Sequence, residues 1–238
     1  MSEECLLKHQ YGIGHEDLRM LGKAYLLLQR KRQASLQSLR KSGSEILEWL
    51  TDELTRLKNQ IVQRAWESLQ GHPLQKWINN VGGLGPTALL LYSAFINPHI
   101  AGSPAKVYGY WGLNPEGKRR KDKKMRGNPK LKKNAWYLAQ IVIYKKDSYY
   151  YPLFRAKREY LLTRTKTEGE ATGRATYWLA KILLSNAWEK MREGCMLSGC
   201  QHKHPYIEPK PTPTAIPPTE LLEIIERGER KEYPPEKT

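Results

Sequence analysis

Apolar residues first fall into register just after residue 16. Leu18, Leu21, Tyr25, Leu28, Leu36 and Leu39 keep close to heptad spacing, with Arg32 interrupting, and this predicts an amphipathic helix with one apolar seam. Ser42-Gly43-Ser44 breaks the run, and Ser42 followed by Glu45 fits a capping box that opens a second helix. Leu47, Leu50, Leu54, Leu57 and Ile61 then alternate three- and four-residue steps. Two such helices around a short break predict an antiparallel hairpin, or a coiled coil that also recruits a second chain into a homodimer. The simpler alternative is that both helices only cover the domain that follows.

Gly71-His72-Pro73 ends that pair, and a short helix over 74–80 leads into Val81-Gly82-Gly83-Leu84-Gly85-Pro86-Thr87. Another helix begins over 88–93. Ser103-Pro104 reads as N-cap and first helical residue of a helix ending before Gly112. A basic loop covers 117–133, within which Asn128-Pro129 caps a long helix through Tyr144. Further helices are predicted over 153–164 and 171–192. Beyond Gly194 the prolines at 205, 209, 211, 213, 217 and 218 preclude regular helix or central strand. Residues 205–238 therefore read as an extended Pro-rich arm, broken by a short amphipathic helix over 221–227. Nowhere does a period-two series predict a strand, so the fold class is all-α. The units expected are a helical hairpin or coiled coil (1–72), a helix-hairpin-helix domain (73–194), and a metal knuckle with the arm (195–238).

Charge changes this picture from a helical fold to one with a partner. Forty basic residues against twenty-four acidic ones give a net charge of +16, which points to a polyanion. No apolar run approaches the length of a membrane span, the longest being 88–92, and the N-terminus lacks the pattern of a signal peptide. Membrane is thus the weaker candidate, and nucleic acid the stronger. Three cysteines, Cys5, Cys195 and Cys200, form no even disulfide framework and fit a reducing compartment. The expected location is the cytoplasm, in association with the nucleoid. Tyrosine (14) and tryptophan (7) far outnumber phenylalanine (2); their polar handles suit cores and rims, the role expected of most of them.

Three motifs carry chemistry. Gly83-Leu84-Gly85 between two short helices suits a helix-hairpin-helix, where glycines allow a tight turn and let backbone amides approach a phosphate. Pro86 and Thr87 would open the second helix, whose N-terminal amides add positive potential. Such a grip on the backbone reads no bases. The alternative is an ordinary glycine turn between packed helices. The second motif is the run Lys118, Arg119, Arg120, Lys121, Lys123, Lys124 and Arg126, continued by Asn128, Lys130, Lys132 and Lys133 and holding only Asp122 as an acid. It reads as a phosphate-binding element or as a solvated loop. Trp111, Trp136 and Tyr137 flank it, and either stack bases or anchor it to the core. The third is Cys195, Cys200, His202 and His204, whose donor types match a structural zinc site although their spacing matches no familiar finger. Unligated thiols and surface histidines are the alternative. His9, His15, His72 and His99 are scattered and form no catalytic pattern.

Over residues 81–192 the ordered set Gly83-Leu84-Gly85-Pro86-Thr87-Ala88, the stretch from Ser103 to Pro115 with its Tyr110-Trp111-Gly112-Leu113-Asn114-Pro115 end, Arg126-Gly127-Asn128, and a closing helix with Ala180-Lys181 resembles the C-terminal domain of the insertion-sequence 110 (Piv-like) transposases. The two heptad helices resemble the coiled coil that joins that domain to a nuclease domain, so the likeness covers about three quarters of the chain. The resemblance implies a ribonuclease H-like N-terminal domain with acidic metal ligands, a serine nucleophile in the C-terminal domain, and a structured guide RNA. The sequence starts almost at the coiled coil, so the acidic domain is expected to be missing. The family's Ser-Gly-containing segment corresponds to 116–125, which has no serine, threonine, tyrosine or cysteine. Ser103 matches another position of the family, with a plain N-cap role.

The sequence thus predicts a DNA-binding protein derived from or accessory to a transposase. It would grip duplex or branched DNA through the hairpin and basic run, with no catalytic residue and no required cofactor, a structural zinc being the one candidate. The alternatives are an active or split transposase subunit in DNA recombination, completed by a partner chain, and a module for structured RNA.

Overall fold

The computed structural model describes residues 10–113 and 127–197, and every regular element among them is helical. In chain order these are α1 (His15–Ser42), α2 (Glu45–Ser68), α3 (Pro73–Asn80), α4 (Pro86–Phe95), α5 (Pro104–Tyr110), α6 (Pro129–Tyr144), α7 (Tyr151–Leu162) and α8 (Glu168–Leu197). The fold is all-α, as the periodicities predict. The expected arm at 205–238 and helix at 221–227 lie outside the described residues.

Helix α4 is the centre. Every residue from Ala88 to Phe95 is buried, which is why the sequence there is apolar on all sides and shows no amphipathic stripe. Helix α1 crosses it closely: Gly22 faces Ala94 and Phe95, with no room for a Cβ. Helices α2, α3 and α8 complete the cover, and Leu18, Tyr25, Ala65, Leu69, Leu74, Leu89, Leu138 and Leu183 belong to one core. The N-terminal pair therefore packs on the rest of the fold as well as on itself.

Tyrosines and tryptophans supply polar ties within that core. Tyr150 Oη accepts from Trp77 Nε1 at 3.2 Å and from Asn186 Nδ2 at 2.6 Å. Trp111 Nε1 donates to the Phe95 carbonyl, and the Tyr108 and Ser185 hydroxyls share a hydrogen bond. Burial pushes Tyr150 up to about 12 despite its two donors, and raises Tyr92 as well.

Three boundaries depart from expectation. Ser42 does not cap α2; it is the last residue of α1, where its Oγ donates to the Ser38 carbonyl. Gly43 takes the left-handed conformation (φ 62°) and its N–H bonds the Leu39 carbonyl, ending α1 as helix C-caps do, and Ser44 becomes the N-cap. The expected basic loop (117–133) overlapped the helix expected from Asn128-Pro129, and the helix prevails: α6 starts at Pro129, so Lys130, Lys132 and Lys133 stand on it. Helix α8 runs on past Gly194 to Leu197, which places Cys195 inside a helix. At the other boundaries local chemistry decides. Asn128 Oδ1 accepts from the Lys130 and Leu131 amides, and His72 Nδ1 accepts from the Leu74 amide ahead of Pro73.

Candidate nucleic-acid interface

The hairpin between α3 and α4 lies half-exposed at the surface, with Asn79, Asn80 and Pro86 exposed beside it. Gly83 has φ 93°, a left-handed value, and a Cβ there would come within 2.9 Å of the Ile141 carbonyl oxygen and 3.0 Å of Lys145 Cγ. The glycine is thus required by the turn and by its contact with the end of α6, whatever binds outside. Gly85 differs. Its backbone is extended and nothing lies within 4 Å of an added Cβ. The space outside it is open. The Ala88 and Leu89 amides both bond the Gly85 carbonyl, and the Leu84 amide bonds that of Val81. The Thr87 side chain stands close enough to the Tyr25 phenol to offset part of the upward shift that burial gives it, so Thr87 faces the α1–α4 contact.

Helix α6 joins the hairpin to the point where the basic run ends. Lys130, Lys133, Tyr137, Ile141, Tyr144 and Lys145 follow one another along its exposed side, mostly at three- and four-residue steps. The ammonium of Lys133 stands 5.4 Å from the Tyr137 ring centre. Lys132 turns the other way, 5.3 Å from the Tyr177 ring, and Trp136 packs on that same ring at 4.7 Å. Of the three aromatic flanks, Trp111 is fully buried and Trp136 half-buried, while Tyr137 is 48% exposed. Anchoring accounts for the tryptophans, and only Tyr137 offers a face outward.

Ion pairs among the described residues join Arg19–Glu16, Arg56–Glu53, Arg155–Glu159, Arg158–Glu168, Arg174–Glu170 and Lys190–Glu193. Lys130, Lys133, Lys145 and Lys146 enter none of them. These lysines thus carry no ion pair among the described residues, and the one acid beside them in sequence, Asp147, is exposed. Lys145 and Lys146 were not singled out by the sequence, where they close a helix and lie twelve residues past the basic run. That Lys145 lies against Gly83 is a tertiary fact.

The run itself meets the fold at a narrow neck. Gly112 (φ 70°) and Gly127 (φ 95°) touch so closely that a Cβ on Gly127 would come within 2.5 Å of Gly112 Cα and 2.6 Å of the Gly109 carbonyl oxygen. The Asn128 amide donates to the Tyr110 carbonyl across the same gap. Lys118, Arg119, Arg120, Lys121, Lys123, Lys124 and Arg126 lie between the two sides, outside the described residues.

Of the predicted metal set, Cys200, His202 and His204 also lie outside the described residues. Cys195 is buried in α8, and its Sγ is 3.6 Å from His15 Nε2. No helix among the described residues is long and apolar enough to cross a membrane. Comparison with protein-family models, with curated proteins and with solved structures returns no match.

Proposed function

We propose that this chain is a DNA-binding protein, derived from or accessory to a transposase, that holds phosphates without cutting them. The observation that supports it most directly is the Lys145 side chain lying against Gly83, its Cγ 3.0 Å from where a Cβ would stand, which brings a lysine with no ion pair among the described residues to the hairpin. Sixteen residues of α6 span about 24 Å, or roughly seven base-pair steps of duplex DNA at 3.4 Å each. The hairpin and the point at which the basic run ends thus lie at opposite ends of one helix, with Lys130 and Lys133 near one end and Lys145 and Lys146 at the other, spaced to meet separate phosphates of one backbone. The exposed Tyr137, Tyr144 and Tyr149 favour branched or partly single-stranded DNA, whose open bases stack on such rings.

The transposase part of the proposal rests on the resemblance over 81–192. Its non-catalytic part rests on the hydroxyl-free 116–125 interval and on the serines nearby. Ser93 is buried and its Oγ donates to the Leu90 carbonyl at 3.3 Å, so no phosphodiester reaches it. Ser103 opens α5. For self-association, Ile46, Trp49, Leu50 and Leu57 lie exposed on α2, an apolar strip that a second copy would cover.

Anisotropy titrations of the full chain with duplex, branched DNA and structured RNA, over a series of salt concentrations, test the proposal. Branched or duplex DNA is expected to bind best, with affinity falling steeply with salt. Tighter binding to structured RNA would replace it with the guide-RNA reading. A covalent adduct on a suicide DNA substrate in magnesium or manganese, abolished by Ser93→Ala or Ser103→Ala, would make the chain an enzyme.

A further inference from the structure

Three groups that are far apart in sequence converge where the first helix, the turn after α4 and the end of α8 meet. The ligand atoms of His15, His99 and Cys195 lie within 4.8 Å of one another. A tetrahedral zinc ion with Zn–S near 2.3 Å and Zn–N near 2.0 Å holds its donor atoms roughly 3.5 Å apart. The pair Cys195 Sγ and His15 Nε2, at 3.6 Å, already has that separation, and the His99 ring meets the His15 ring edge-on with centres 5.7 Å apart.

Each donor is held from behind. His15 is the first residue of α1. The His99 amide donates to Asn97 Oδ1 at 2.9 Å, and the same turn is tied to α8 by Trp188 Nε1 donating to the Ala101 carbonyl at 2.6 Å. Cys195 lies in the last turn of α8, where the carbonyl end of the helix favours a cation. Next to it, Gly194 packs against His72 with no room for a Cβ, which fixes the approach of α8 to the start of α3. Soft sulfur with two imidazoles suits zinc rather than magnesium or calcium. A nucleophilic cysteine–histidine pair is the other chemistry open to these groups, but Cys195 has no exposed surface at which to meet a substrate.

We propose that His15, His99 and Cys195 bind one zinc ion, with a fourth position left for water or a further donor. This set shares only Cys195 with the one expected from the sequence. Bound there, the metal joins residues 180 positions apart and clasps the first helix to the last.

The test uses the full chain purified without chelator or added metal. Elemental analysis should find about one zinc per chain. Cobalt added to the metal-stripped protein should give a thiolate-to-cobalt charge-transfer band and the strong visible bands of four-coordination. Cys195→Ser should abolish the charge-transfer band. His15→Gln and His99→Gln should each weaken zinc binding by more than the roughly 10–100-fold that removal of an outer-shell partner costs. Wild-type protein with under about a tenth of an equivalent of zinc and no cobalt band would overturn the proposal, whether or not the variants fold. So would zinc retained in His15→Gln and His99→Gln but absent from Cys200→Ser, His202→Gln and His204→Gln.

Discussion

Ser35 and Thr51 share a 2.8 Å hydrogen bond across the seam of α1 and α2, both buried. Both hydroxyls also lie within reach of the Leu47 carbonyl, to which the one that accepts from its neighbour donates its own proton, while Thr55 Oγ1 donates to the Thr51 carbonyl and Arg32 Nε donates to Thr55 Oγ1 at 2.8 Å. The helices therefore meet through a polar ladder where a heptad seam would be purely apolar, and Arg32, which interrupts the heptads, is one of its rungs.

That ladder gives a first prediction. Ser35→Ala and Thr51→Val should each lower stability by about 1 kcal/mol, since each leaves part of a buried polar pair without its counterpart. The double variant should be clearly less destabilised than the sum of the two single effects, because an apolar replacement of both partners leaves nothing unsatisfied. Urea unfolding of the four proteins measures the coupling. Strict additivity would mean that the two hydroxyls act independently.

The second prediction concerns the lysines at the end of α6. Lys145→Glu with Lys146→Glu should weaken DNA binding for all sequences and reduce the slope of log affinity against log salt by about 2, one for each phosphate no longer neutralised. Reversal at Arg119, Arg120, Lys123 and Lys124 should reduce it by roughly 3–4 if all touch duplex DNA. An unchanged slope in a folded variant would show that the corresponding charges are solvated and touch no phosphate.

Gly83 and Gly85 should separate folding from binding. Gly83→Ala must strain a left-handed backbone and push on the Ile141 carbonyl, so it should cost more than about 1 kcal/mol and lower the melting temperature by at least a few degrees. Gly85→Ala meets nothing and should leave melting unchanged or slightly raised, yet its methyl group obstructs the phosphate and should weaken DNA binding. Equal binding by wild type and Gly85→Ala would remove the hairpin from the interface.

Alkaline pH should expose the burial of Tyr150. The unfolded phenol ionises near 10, while in the fold burial delays ionisation to about 12. Between those values the unfolded chain has released a proton that the native chain keeps, so stability falls as pH rises through this window, by about 2–3 kcal/mol for two units. Lys157 and Lys181, whose ammonium groups burial shifts downward, act with the opposite sign up to their ordinary value. Comparing wild type with Tyr150→Phe cancels them. The variant should start less stable, having no acceptor for Trp77 and Asn186, but decline less steeply above pH 10. Parallel decline would exclude Tyr150 as the cause.

Helix boundaries set by neighbours in sequence were readable from sequence, and those set across space were not. Asn128-Pro129 and Pro86 mark their helix starts because an N-cap and a first-turn proline act within four residues. The helix expected to end at 192 continues through Gly194, whose small size serves the contact with His72. Ser42 satisfied a capping pattern that Gly43 overrode by turning left-handed. The proposed α6 interface was half visible, as a charge run with aromatic flanks, while Lys145 beside Gly83 required the fold. His15 and His99 gave no local signal at all, because no spacing rule links side chains brought together by three separate elements.

The neck at Gly112 and Gly127 has a consequence for how this protein can change. Chain that leaves and re-enters a fold at one point, with both ends fastened by the fold itself, adds little to the work of folding. Even doubling such an insertion costs only about 0.6 kcal/mol in closure entropy. The contact of Gly112 with Gly127, and the Asn128 amide on the Tyr110 carbonyl, therefore make a point at which chain can be lengthened, shortened or exchanged while the start of α6 stays fastened to the end of α5.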